Sequence, residues 1–213
     1  MKRTAFILTT AVLAALASCT STEELVGEAD ALYQQKRYSE AVPLLQEAAE
    51  RGNAQAQLML AKCYDFSQGV PHDMAQAVRW YTAAAQQGNT NAMDNLGTCY
   101  ITGQGVAKNE ATAFMWYQRA ASKDNPHALN NLGLCYLNGQ GVTKNDTLAA
   151  ENFRRAAQMG HRSAQYNLGR CYFHGIGVQQ DEENARYWVS KAASQGDKEA
   201  SAFMADHQWL TMP

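Results

Sequence analysis

With 213 residues, 46% of them hydrophobic and 18% charged, the chain has the composition of one or two globular domains, which excludes disorder over most of its length. Its formal charge of −2, with Lys and Arg scattered among acidic residues, gives no basic stripe for a phosphate backbone, so no nucleic-acid partner is expected.

Lys2 and Arg3 precede an apolar run from Ala5 to Ala17. Thirteen residues fall short of the ~20 needed to cross a bilayer as a helix, so residues 1–18 read as a signal peptide. The run ends in Leu16-Ala17-Ser18-Cys19, which resembles the lipobox of bacterial lipoproteins, where the chain is cut before a Cys that then carries lipid. That resemblance implies a thioether-linked diacylglycerol on Cys19 and an acylated amino terminus, with enough buried methylenes for stable anchoring to a membrane. Residues 19–22 become a short tether. In lipoproteins of this type an Asp after the Cys implies inner-membrane retention; here the residue is Thr20, so the expected location is the outer membrane of a bacterial cell envelope, facing the periplasm. Loss of Lys2 and Arg3 from the 18 basic residues leaves 16 against 20 acidic ones, a mature charge of −4.

Residues 23–52 carry Ala31, Tyr33, Tyr38, Ala41, Ala48 and Ala49 around a short turn and resemble a tetratricopeptide helix pair. From residue 53 the chain repeats itself. Cys-Tyr recurs at Cys63-Tyr64, Cys99-Tyr100, Cys135-Tyr136 and Cys171-Tyr172, each 36 residues after the last, and Leu60, Leu96, Leu132 and Leu168 keep the same step. Within one unit Ala92, Leu96, Gly97 and Tyr100 share one helical face, and Ala113, Trp116, Tyr117, Ala120 and Ala121 share another, so each repeat is two helices. Between them Gly103-Gln104-Gly105 and its counterparts permit a tight reversal with positive φ. Asp73, Asn109, Asn145 and Asp181 read as N-caps of the second helices, and Gly88, Gly160 and Gly196 end those helices. Asn125-Pro126 supplies a cap and a first-turn proline. Asp124 stands where a Gly is expected, which predicts a slightly different junction there.

The repeats are 53–88, 89–124, 125–160 and 161–196, followed by a capping helix and C-terminus over 197–213. Their shared pattern, Ala-x3-Leu-Gly-x-Cys-Tyr followed by the Gly-x-Gly turn and Ala-x2-Trp-Tyr-x2-Ala-Ala, resembles the Sel-one-like repeat, a relative of the tetratricopeptide repeat. Departures are Ser67 at the first loop glycine, Ala61 at the helical glycine and Asn152 at the Trp position. The resemblance implies an all-α fold, an α/α solenoid wound as a right-handed superhelix, since single helix pairs cannot bury their apolar faces alone.

Five cysteines in an exported chain raise the question of disulfides. Cys63, Cys99, Cys135 and Cys171 hold the same place in successive repeats, a helix layer apart, beyond the reach of a bridge, so four free core thiols are expected. Cysteine-rich secreted members of the repeat family bridge two cysteines per repeat, but here the partner positions are alanines such as Ala85 and Ala92. No Ser-x-x-Lys, Lys-Thr-Gly or Gly-x-Ser-x-Gly accompanies the repeats, and no Cys-x2-Cys or His-Glu-x2-His. His72, His127, His161, His174 and His207 look isolated in sequence. No catalytic residue, cofactor or metal is therefore expected.

By tetratricopeptide analogy the inner face is lined by Leu58, Lys62, Asp94, Thr98, Asn130, Leu134, Tyr166 and Arg170, positions that vary between repeats and fall off the predicted core stripes. Asn95, Asn131 and Asn167 form a ladder beside them, read as structural. The expected function is a non-enzymatic scaffold or adaptor that binds a protein or peptide on its concave face. The alternatives are a structural subunit of an envelope assembly, for which Trp209 near the C-terminus is a candidate contact, and a cell-wall-acting or penicillin-binding hydrolase of the cysteine-rich repeat type.

Overall fold

Periodic stripes, caps and glycine turns translate directly into helices in the computed structural model, which describes residues 20–209 as eleven α-helices without a strand. The signal peptide and Cys19 lie outside the described residues. No helix among the described residues is long and apolar enough to cross a membrane. The chain divides into two compact units, the first ending at Gln87 and the second beginning at Gly88.

Unit one contains α1 (Thr22–Gln34), α2 (Tyr38–Glu50), α3 (Ala54–Asp65) and α4 (Met74–Gln86), each packed on the next. A capping box opens α1: the Ser21 hydroxyl accepts from the Glu24 amide, and the Glu24 carboxylate accepts from the Ser21 amide. The core is built by Leu25, Leu45, Met59, Leu60 and Cys63 among alanines, with Tyr33 and Trp80 packed against it. The alanines let the helix axes approach closely, while the larger residues supply the buried area.

Unit two contains α5 (Thr90–Thr102), α6 (Glu110–Ala121), α7 (Pro126–Asn138), α8 (Asp146–Gln158), α9 (Arg162–His174), α10 (Glu182–Ser194) and α11 (Lys198–Asp206). Each packs on its sequence neighbour, and α5 also touches α7. All four expected second-helix caps are present: Asp73, Asn109, Asn145 and Asp181 each accept from the amide three residues on. Asn53, Asn89, Asn125, His161 and Asp197 do the same for first helices. Each such cap contributes about 1 kcal/mol.

Two glycine positions are dictated by close approach. A Cβ on Gly133 in α7 would lie 2.6 Å from the Phe153 ring, and one on Gly141 would lie 2.2 Å from the Glu110 carbonyl oxygen. The first lets an aromatic ring of α8 seat against the backbone of α7. The second brings the turn of one repeat onto the start of the preceding second helix. Asp124 does not alter its junction as the sequence suggests: it adopts φ 55, the left-handed conformation a glycine would take. Its carboxylate receives Arg155 at 2.6 Å, an exposed pair that helps to hold the turn.

Polar residues inside the units are paired. Gln57 donates to the Ala49 carbonyl and accepts from Gln87; three repeats later Gln165 donates to Ala157 and accepts from Gln195. Asn152, at the Trp position, is 8% exposed and donates to the Leu148 carbonyl at 2.8 Å. The four repeat cysteines are buried, and none of them is in a disulfide. Trp209 is also spent internally, 5% exposed among Phe173, Phe203 and His207 with Arg186 over its ring. In this arrangement it closes the last helix pair and offers almost no surface to another molecule.

Candidate functional site

The first helix of each pair carries two variable positions four residues apart, which helical geometry places on one face. In unit two these are Asp94 and Thr98 on α5, Asn130 and Leu134 on α7, and Tyr166 and Arg170 on α9. Contacts between residues 37 apart, one more than the repeat, tie them into consecutive rungs. Asn131 donates its side-chain amide to the Asp94 carboxylate at 2.9 Å, and Asn167 donates to Asn130 at 2.9 Å. The third rung replaces the hydrogen bond with an edge-on contact between Tyr166 and Phe203, centroids 6.1 Å apart.

These bonds divide the site residues into fixed and free. Asp94 is half-buried, and burial raises its carboxyl pKa, with the Asn131 hydrogen bond and the charge of His127 acting against that rise. Asn130 is 6% exposed, inside the core and not off it as the sequence suggests, because its carbonyl is the acceptor for the next repeat. Thr98 is exposed, donates to the Asp94 backbone carbonyl and meets the Tyr117 hydroxyl at 3.1 Å. Leu134 and Tyr166 are half-buried, and Arg170 lies over the Tyr166 ring at 5.7 Å, within cation–π range. In unit one, Lys62 is half-buried, while Leu58 is 3% exposed and belongs to the core.

An open cleft of about 660 Å³ runs beside the last two rungs, lined by Asn130, Leu134, Tyr166, Arg162, Lys198 and Glu199. The last three were not among the expected site residues. They occupy the first turns of α9 and α11, and the signal for them was the cap positions just ahead, His161 and Asp197, which place those turns beside the face.

Burial pushes the thiols of Cys63, Cys135 and Cys171 up to about 11, so they are protonated and weak nucleophiles near neutrality. Burial also raises the Tyr117 hydroxyl, whose bond to Thr98 is structural. Among the described residues no group of three or more His, Cys, Asp or Glu side chains converges as metal ligands. One pairing was invisible in sequence: His127 and His161, apparently isolated, meet with ring nitrogens 3.1 Å apart.

The Sel1 repeat family model matches residues 32–53, 54–89, 90–125, 126–161 and 162–197, thus including the second helix of the first pair. A Sel1 repeat protein from Oxalobacter formigenes is 34% identical, with a TM-score of 0.79 over 85% of this chain and 72% of that one. The protein c5321, a protective antigen of uropathogenic Escherichia coli with an SLR fold, is 35% identical, with a TM-score of 0.72 over 82% of this chain but only 38% of that one. The immunity protein PA5088 of Pseudomonas aeruginosa is 26% identical, with a TM-score of 0.58 over 83% of this chain and 68% of that one. Curated protein sequences gave no match. With its repeat motif matched five times across most of the chain, the protein belongs to the Sel1 repeat family, whose members generally serve as non-catalytic scaffolds for protein–protein interaction.

Proposed function

We propose that this chain is a non-enzymatic adaptor, held at the bacterial cell envelope by a lipidated Cys19, that captures a protein or peptide on the first-helix face. The observation that carries the reading is the cleft of unit two. Its floor is fixed by the Asn167–Asn130 bond, while Leu134, Tyr166, Arg162, Lys198 and Glu199 present apolar, aromatic and charged groups of both signs. Such a mixture suits a polypeptide better than a compact metabolite, and aromatic and Arg side chains tend to carry interface energy. The lipobox-like Leu16-Ala17-Ser18-Cys19 supports the anchor, and the likeness to c5321, a protective antigen, fits an envelope location.

Two measurements test it. Intact mass of the membrane-extracted protein should show a chain starting at Cys19 with diacylglycerol added, and Cys19→Ala should move the protein to the soluble periplasmic fraction. A photo-crosslinker at Tyr166 should trap a polypeptide in envelopes, with Tyr166→Ala combined with Arg170→Ala weakening capture at least about tenfold. An unmodified, soluble wild type defeats the anchor. Capture that survives the double replacement yet is lost on changing Gln76 and Arg79 of α4 and Arg186 of α10, which lie on second helices, defeats the face.

A further inference from the structure

His161 is the N-cap of α9, and its Nδ1 accepts a hydrogen bond from the Ala164 amide at 3.2 Å. A backbone amide can only donate, so Nδ1 carries no proton and the neutral ring carries it on Nε2. That Nε2 lies 3.1 Å from Nδ1 of His127, in the first turn of α7. Since Nε2–H of His161 is the donor, Nδ1 of His127 is the acceptor. One chain of bonds therefore runs from the Ala164 amide through His161 to His127, and it requires both rings to be neutral.

The preceding repeat shows what this contact does. There the cap is Asn125, which accepts from the Ala128 amide at 3.0 Å and donates its own amide to Asn91 at 2.9 Å. His161 lies one repeat after Asn125, and His127 one repeat after Asn91. An amide pair that cannot titrate has thus been replaced, in the next junction, by an imidazole pair that can. We propose that the His127–His161 pair is a proton-sensitive latch between the third and fourth repeats: closed when both rings are neutral, and opened by a single added proton.

The opening follows from hydrogen-bond inventory. A proton added to His161 must go on Nδ1, where it faces the Ala164 amide and destroys the cap. A proton added to His127 must go on its Nδ1, where it faces the Nε2–H of His161 and breaks the bridge. A cation on His161 sits among unfavourable neighbours, since that ring caps a helix N-terminus, whose partial charge is positive. Arg162 adjoins His161 on α9, with its guanidinium directed toward Asp197 of α11 at 3.8 Å. Asp94 of α5 is the acidic group that interacts with His127. Burial first, then His127 and Arg162, press His161 down to about 4. An open cleft of about 520 Å³, lined by His127, Met159, His161, Arg162 and Gln195, gives the proton access. A divalent metal between the rings is disfavoured by the same bonding, because Nε2 of His161 bears the proton and has no lone pair to offer.

The sign is fixed by linkage. Between the ordinary value of 6.5 and about 4 the unfolded chain binds a proton that the folded His161 refuses. The contribution is fully present above the ordinary value and is lost as pH falls through that window. The first turn of α9 loosens, and it carries Arg162 and Ser163, which also line the larger cleft.

The test uses the whole chain. Imidazole ¹⁵N spectra at pH 7.5 should show His161 as the Nε2–H tautomer. After correction for intrinsic rates, amide exchange at Ala164 should be at least about tenfold faster at pH 5 than at pH 7.5, with no such change at Ala128 under the Asn125 cap. His127→Asn with His161→Asn, which reproduces the preceding junction, should abolish the difference. An Nδ1–H tautomer in the wild type, equal protection of Ala164 at the two pH values, or the same acid loss in the double variant overturns the latch. The tautomer is read on unaltered protein, so the outcome stands even if the variant folds poorly.

Discussion

Two successive junctions of unit two, α5/α6 onto α7/α8 and α7/α8 onto α9/α10, use the same two polar slots and fill them differently. In the cap slot the first has two amides, Asn125 and Asn91, and the second two imidazoles, His161 and His127. In the ladder slot the first pairs Asn131 with the Asp94 carboxylate and the second pairs Asn167 with the Asn130 amide. Each junction thus has one titrating slot, but with opposite response. Asp94 is raised by burial, so its stabilising contribution lies at low pH and is lost as pH rises past the ordinary carboxylate value of 3.8. His161 is depressed, so the second junction weakens as pH falls. The backbone register decides where repeats bond to each other; residue type decides only what those bonds sense.

The largest expected effect comes from what the helix pairs themselves share, the helical glycine of the first helix under an aromatic ring of the second. Gly133→Val should cost about 3 kcal/mol by overpacking, because the new Cβ would meet the Phe153 ring at 2.6 Å. Gly97→Val should cost a similar amount against Tyr117, also 2.6 Å away. Urea unfolding followed by circular dichroism measures both, and Phe153→Leu should recover part of the first loss. A Gly133→Val chain as stable as wild type would mean that the two helices can slide apart.

Next come the ladder amides, where the junctions should separate. Asn131→Ala should cost about 2 kcal/mol, since it strips the donor from a half-buried carboxylate, and Asn167→Ala about 1 kcal/mol, since it leaves only the neutral Asn130 carbonyl unpaired. The comparison rests on the ratio. Equal losses in parallel urea titrations would show that the Asp94 charge adds nothing to its slot.

Much of this was legible from sequence, for a physical reason: caps, glycine turns and helix stripes depend on residues at most a few positions apart. Asp73, Asn109, Asn145 and Asp181 announced themselves because each precedes a periodic stripe. The inter-repeat slots did not. Asn131 meets Asp94, and His161 meets His127, at separations just above and just below the 36-residue period, so aligning the repeats column by column sets each partner in a different column. The burial of Leu58 and Asn130 was missed for a related reason: helical phase places them beside the core stripe, and packing by the neighbouring elements then covers them. Trp209 shows the limit at a chain end, where periodicity stops and only the structure shows that the ring folds back on Phe173 and Phe203.

The smallest effect is the sharpest test of the opposition between the junctions. Asp94→Asn makes the first ladder slot chemically like the second. At pH 7 the substitution should raise stability by about 0.5 kcal/mol or less, because it removes a charge that burial disfavours while keeping an acceptor for Asn131. The gain should shrink on acidification, as the wild-type carboxyl takes up its proton and the two chains become alike there. In the wild type, protonation of Asp94 opposes the acid loosening at His161; in the variant that opposition is gone. Its stability should therefore fall more steeply with falling pH than that of the wild type, measured by urea midpoints from pH 7.5 to pH 4.5. Parallel midpoints would show that Asp94 does not titrate against the fold. A steeper fall that disappears when His127→Asn and His161→Asn are added would assign the remaining acid sensitivity to the imidazole slot.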